Sequence, residues 1–436
     1  MPAIPPRQLH LNANVFATGR HSTGWRQHTP PVWPSDIDHF IAIARAAEAA
    51  TFDAIFFSDQ PGLAPNASER PWTALDPVIL QTALARETTH IGLVATASTT
   101  FEQPYSLARR FASLAHASGG RAAWNIVTTH HAGVAGNYGL SELPEHATRY
   151  ARAEEFVALV KQLWASWESG AISADVASEK YLDLAKVHPV SHQGEFFAHE
   201  GRFPVPPAPG GRPMLFQAGD SSASRDLGAR HADALFTVQR TLADGLDFRR
   251  DVNERARRFG RDPSDLLVLP GLLVVLGDTE QAAHHNKEAL DAQLDIVSEH
   301  QKLARLFGVE PGQLPLDEPF PSKLNLLEDW KSPQTKGFAA GLLHEAQANG
   351  WTVRQAIARN PGGHRVVIGA PEQIADDIEQ WFREGAADGF NLNFDLYPDH
   401  LVTFGEQVVP LLRQRGLFRS AYEGRTLHQH LGLASI

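Results

Sequence analysis

Three observations in this 436-residue sequence predict an α/β fold, a parallel (β/α)8 barrel with long insertions. Eight short apolar runs occur, each followed by a helix-like stretch, which is the rhythm of a parallel β/α architecture. No Gly-x-Gly-x-x-Gly follows the first run, so nothing points to a dinucleotide-binding open sheet. Polar residues stand at the C-terminal ends of the runs, where barrel active sites lie.

The elements follow in order. LHLNANVF (9–16) reads as the first strand, with a helix over 36–50. FDAIFFSD (52–59) is the second, with a helix over 75–86, and IGLVATAST (91–99) the third, with a helix over 104–117. AAWNIVTT (122–129) precedes a helix over 145–164, and PMLFQAGD (213–220) one over 223–230. ALFTVQ (234–239) leads to a helix over 243–259, LLVLPGLLVVLG (266–277) holds the seventh strand, and GFNLNFD (389–395) is the eighth, before a helix over 401–415. Two stretches break the rhythm. Residues 166–212, after strand 4, are rich in Pro and Gly, and 309–364, after strand 7, are Pro-punctuated with a helix over 351–358. Segments this long in a compact fold are insertions or lids over a site. The whole chain, 1–436, is read as one domain.

Composition narrows the function. A formal charge of -11 without a dense Lys/Arg run argues against nucleic acid. The absence of cysteine excludes a disulfide framework, a thiolate metal site and a Cys nucleophile. No apolar run approaches the roughly 20 residues of a membrane helix, and no signal pattern opens the chain. A cytoplasmic enzyme with no membrane partner is expected.

The fourth strand carries the sharpest oddity, SGGRAAWNIVTTHH at 118–131. Asn is depleted in strands, and a buried amide needs partners. Alternation puts Trp124 and Ile126 under the helices and leaves Asn125, Val127 and Thr129 facing inward. The same alternation groups Val94, Thr96 and Ser98, then Ile55, Phe57 and Asp59, then Leu215, Gln217 and Gly219. Asp59, Thr96, Asn125 and Gln217 are therefore expected to converge on one mouth, with Thr129 and Gly219 on the same faces as Asn125 and Gln217. In PEHATRY, His146 and Tyr150 share a helix face at i,i+4 spacing. In GDSSAS, Ser221 and Ser222 begin a helix, a ready phosphate site, although the pair also reads as a plain cap. His21, His130 and His131 follow strands 1 and 4, near the mouth. No His/Glu pattern supports a metal.

SGGRAAWNIVTT, NYGL, PEHATRYARAEEFVALVKQLWASWE, GRPMLFQAGDSSASRDLGARHADALFT and RGLFRSAYEGRTLHQHLGL together resemble the bacterial-luciferase-like flavin monooxygenases, in the subgroup that includes nitrilotriacetate, EDTA and dibenzothiophene sulfone monooxygenases. The resemblance spans nearly the whole chain. It implies a (β/α)8 barrel that takes reduced FMN (FMNH2) from a separate NAD(P)H:flavin reductase, and inserts one atom of O2 into a small organic substrate. It further implies flavin contacts by Asp59, Thr96, Asn125, His146, Tyr150, Ser221 and Ser222, and a homodimer or homotetramer. His21, His130 and His131 are the candidates for acid/base work or for anchoring an anionic substrate. After WNIVTT, relatives often carry Tyr, Leu or Asn where this chain has His130 and His131, so no relative's substrate carries over. The alternative reading is a deazaflavin-dependent oxidoreductase on the same barrel.

Overall fold

The computed structural model describes residues 7–63, 67–72, 74–129, 132–321, 324, 336–359 and 363–434. Eight parallel strands close into a barrel: β1 (His10–Val15), β2 (Ala54–Phe57), β3 (Gly92–Ser98), β4 (Ala122–Val127), β5 (Met214–Ala218), β6 (Ala234–Thr237), β7 (Leu267–Leu276) and β8 (Gly389–Phe394). Neighbours in sequence are neighbours in the sheet, and β8 returns to β1 with Asn12 opposite Asn391. Every strand lies between the barrel interior and a helical layer, which is why the runs are apolar on both faces.

The helices α1 (Ile37–Ala49), α2 (Pro77–Glu87), α3 (Pro104–Ser118), α4 (His146–Trp164), α5 (Ser222–His231), α6 (Leu242–Arg258) and α7 (Glu280–Asp291) start where short polar side chains can satisfy their first N–H groups. Asp36 accepts from His39, Asp76 from Val78 and Ile79, and Thr241 forms a capping box with Asp244. The larger core lies between strands and helices, where Ile55, Phe57, Trp124, Leu215 and Leu392 meet Phe40, Phe111 and Phe156.

The barrel interior is smaller. Ala54, Phe56, Val94, Ala123, Met214, Phe216 and Leu269 fill its lower half, and Leu427 and Leu431, in and after the short helix Leu427–His430, plug it from below. Arg419, next to that plug, is paired with buried Asp53, which also meets His10 at 3.0 Å. Asn12 and Asn14 of β1 donate to Asn391 and Asn393 of β8 at 3.0 and 2.9 Å.

A ninth strand, Arg365–Gly369, was not expected from the sequence. It pairs with the upper half of β7 (Leu272–Leu276), whereas the lower half (Leu267–Pro270) pairs with β6. Its RVVIG run is five residues long and half-buried, too short for its periodicity to stand out. The residue before it, His364, stacks on Phe236 at 5.4 Å and lies over Gly271, where a Cβ would come within 2.2 Å of the ring.

The two insertions differ. The segment after α4 forms two hairpins, Ile172–Asp175 with Lys180–Leu182 and Pro189–Gln193 with Ala198–Arg202. The second lies against α3 and α4, with Phe197 5.5 Å from Phe156 and Glu155 accepting from the backbone of Phe196 and Phe197. A reading of 166–212 as a lid is corrected here: in a β/α barrel the chain leaves each helix at the end opposite the mouth, so this segment climbs the outer wall instead. The segment between β7 and Arg365 does reach the mouth, through Ile357 and Ala358.

Candidate active site

Thr96 and Asn125 are cross-strand partners on β3 and β4. Two residues earlier on the same strands, Val94 and Ala123 lie inside the barrel, and the intervening Trp124 packs between Phe111 and Phe156 at 6.0 and 5.7 Å. Thr96 and Asn125 therefore face the interior, just above its apolar filling. The Asn125 amide donates to the Thr96 hydroxyl at 2.8 Å, and its carbonyl oxygen is buried without a partner among the described residues. Asn12 and Asn14 carry the same deficit, but in register Asn14 stands level with Ala123, one inward layer below Asn125.

Thr129 sits at the turn out of β4 with φ +46°, a left-handed conformation that is costly for a β-branched residue. Its hydroxyl donates to Ser98 at 2.6 Å. The strained turn aims the chain from the mouth toward His130 and His131, which lie outside the described residues.

PEHATRY and GDSSAS meet. His146 Nε2 is 3.4 Å from the Ser221 hydroxyl, and the His146 and Tyr150 rings are 4.6 Å apart. Ser221 caps α5, accepting from Ser224 N–H, while the Ser222 hydroxyl accepts from Arg255 at 3.2 Å. Gly219, at φ +140°, permits the approach, since a Cβ there would stand 2.3 Å from the Ser224 hydroxyl. Loss of solvent, and then the neighbouring Arg149, lower the His146 pKa from its ordinary value.

The expected four-way convergence is corrected in two members. Ile55 and Phe57 belong to the outer core, with Phe57 5.4 Å from Phe40 on α1, so Ala54 and Phe56 line the interior of β2. Asp59 lies past the strand end, where burial and the charges of Asp76 and Glu102 push its pKa up to about 6. Leu215 is likewise outward, and Gln217 donates to Ser224 on α5 at 2.7 Å, bracing that helix from beneath. The bulkier residues mark the outer face on all these strands, because the strand–helix layer is the larger core.

A cavity of about 370 Å³ opens beside the ends of β1 and β2. Its walls include Phe57 and Ser58 but nothing from β3 or β4, so it adjoins the Thr96–Asn125 pair rather than containing it. His21 lines it with both ring nitrogens engaged. Nδ1 accepts from the Thr23 N–H at 3.2 Å, which leaves the proton on Nε2, 3.1 Å from Asp291. Lys287 pairs with the same Asp291. Arg20 and Arg70 also line the cavity, and neither stands out in the sequence, because loop cations have no periodicity to mark them. Asp395, just past β8, was missed for the same reason. It is fully buried with neither oxygen bonded among the described residues, and burial raises its pKa.

Residues 13–389 match the luciferase-like monooxygenase family. Nitrilotriacetate monooxygenase component A of Aminobacter aminovorans is 38% identical over 447 residues, covering 98% of this chain and 97% of that relative. N-acetyl-S-(2-succino)cysteine monooxygenase of Bacillus subtilis (strain 168) is 37% identical over 434 residues, covering 98% and 97%. The structure of EDTA monooxygenase from Chelativorans sp. BNC1 superposes with a TM-score of 0.83 at 33% identity, covering 98% of this chain and 99% of that one. A barrel with a polar mouth, matched over almost its whole length by proteins that add oxygen to organic molecules, makes this chain a monooxygenase and a member of the luciferase-like monooxygenase family.

Proposed function

We propose that the protein is the oxygenating component of a two-component system, using FMNH2 made by a separate NAD(P)H:flavin reductase. Reduced FMN, when bound, would supply the chemistry that activates O2, placing one oxygen atom on the substrate and the other in water. The observation that carries the reading is the Asn125 carbonyl oxygen, buried at the mouth and unpartnered among the described residues. A buried acceptor costs free energy unless a donor reaches it, and the reduced flavin ring offers N–H donors. The cluster of His146, Tyr150 and Ser221 at the start of α5 suits the phosphate, since a helix N-terminus presents free N–H groups and a favourable dipole.

The chain's own residues have defined tasks in this reading. Thr96 fixes the Asn125 amide so that its carbonyl faces the flavin edge. Thr129 and Gly219 shape the turns that bring β4 and α5 to the cofactor. His21, tied to Thr23 and Asp291, holds the wall of the neighbouring cavity, which would shelter the substrate from water. Names among the relatives support the division of labour: one is a component A, and pristinamycin IIA synthase subunits A and B of Streptomyces pristinaespiralis both match this chain. Their substrates range from nitrilotriacetate to long-chain alkanes, so none transfers.

Anaerobic titration with FMNH2, FMN and a reduced deazaflavin tests the cofactor, followed by 18O2 and mass spectrometry of candidate substrates. Tighter binding of FMNH2 and one 18O atom in the product are expected. Preference for the deazaflavin, with no oxygen consumed, would replace this reading by hydride transfer.

A further inference from the structure

The cavity beside β1 and β2 has a charge pattern that the oxygen chemistry does not require. Four of its wall residues are cations, and two of them are neutralised locally. Lys287 is paired with Asp291, and Lys302 is paired with Glu299 and Glu69 at 2.9 and 2.8 Å. The other two are Arg20 and Arg70. Arg20 stacks on Phe16, its guanidinium 4.6 Å from the ring centre, and feels the field of Asp395 from behind. Arg70 takes part in no ion pair among the described residues; its nearest electrostatic relief is Glu299, already bonded by Lys302. Both guanidiniums have lost much of their solvent, and each repels the other, which pulls Arg20 down to about 10. Two guanidiniums facing one cavity, in a chain of net charge -11, are costly unless an anion joins them.

We propose that this cavity binds its substrate through a carboxylate held by Arg70, with Arg20 beside it. A guanidinium presents paired N–H donors that match a carboxylate's two oxygens. Trp72, Leu294 and Ile357 supply the apolar wall for the organic remainder, which favours an organic acid over an inorganic anion. The inference rests on the reading of the barrel mouth as the active site, and it names the substrate class of that site.

The test is calorimetric titration of the full-length protein, without O2, using succinate, its neutral isostere succinamide, and inorganic phosphate, each with and without saturating FMN. Succinate is expected to bind at least tenfold more tightly than succinamide and than phosphate, and to do so whether or not FMN is present. Arg70→Gln should erase the preference for succinate, Arg70→Lys should keep part of it, and the surface variant Arg45→Gln should behave as the parent. Equal affinity for succinate and succinamide, no detectable binding of succinate, or a preference untouched in Arg70→Gln would overturn the proposal. Displacement of succinate by FMN would assign the cavity to the flavin, and tighter phosphate binding would make it an inorganic-anion site; either also overturns it. Failure of 18O transfer would leave the binding result standing and remove the monooxygenase reading instead.

Discussion

The side-chain amide of Asn125 donates to the Thr96 hydroxyl across adjacent barrel strands, and its carbonyl oxygen is left buried and unpartnered among the described residues. The two halves of one amide thus have separate tasks, one internal and one turned to the mouth. Thr96→Val removes the internal acceptor and strands a buried N–H donor. A loss of about 1–3 kcal/mol in stability is expected by chemical denaturation, with Thr96→Ser close to the parent. Asn125→Ala removes the outward carbonyl. Its FMNH2 affinity should fall about fivefold, and hydrogen peroxide should be released in place of oxygenated product. Unchanged affinity and coupling would remove Asn125 from the site.

The start of α5 should read the phosphate alone. Tyr150→Phe is expected to weaken FMN binding by about 0.5–1.5 kcal/mol, the usual net worth of one hydrogen bond, and to leave riboflavin binding as it was. Fluorescence titration of both flavins decides it. Equal losses for the two would move Tyr150 from the phosphate to the ring.

Asp59 offers a pH signature. Its pKa is raised from 3.8 to about 6 by burial and by Asp76 and Glu102, so the fold favours the protonated acid. The stability this contributes is complete below pH 3.8 and is lost as pH rises through about 6. Asp59→Asn should therefore be more stable than the parent at pH 8, by about 1 kcal/mol after allowance for its partial exposure, and the two should converge near pH 4. Urea midpoints at both pH values give the answer; a gap independent of pH would show that Asp59 is not the group titrating.

At the other end of the barrel, Asp53 is buried with Arg419 and His10. Burial alone would raise its pKa, but those two partners outweigh it and hold the carboxylate below its ordinary value. Arg419→Met should cost about 3–5 kcal/mol at neutral pH, because it leaves a buried charge without its main partner. The folded value lies below the unfolded one, so this stabilisation is present above the unfolded pKa and fades as pH falls through the folded one. The deficit of the variant should shrink in acid, as measured by guanidinium melts.

Much of this architecture is legible in the sequence, and the reasons are local. Each barrel strand is bounded by Gly, Pro or a capping residue, and Asp36, Asp76 and Thr241 announce their helices. Asn125 stands out because an amide in a strand is rare, and Thr96 follows from register. The assignment of faces is less legible. Phe57 and Leu215 look inward to a reader who places the core inside the barrel, whereas the helical layer is the larger sink for bulk. The height of the 166–212 segment depends on which end of α4 it leaves, a matter of topology rather than composition. Arg20, Arg70 and Asp395 were hidden because loops bring them together without any repeating spacing.

The plug formed by Leu427 and Leu431 bears on how the protein is made. The Asp53–Arg419 pair spans 366 residues, and Phe56, Val94 and Met214 stay open to water from below until residues 417–431 arrive. A ribosome will have exposed all eight strands before the segment that seals them has been synthesised. Closure of the barrel is therefore a late, non-local event that carries a large loop-closure entropy. The nascent chain spends that interval with an apolar opening of the kind chaperones bind, so the yield of active enzyme in a cell should respond to chaperone supply and to growth temperature.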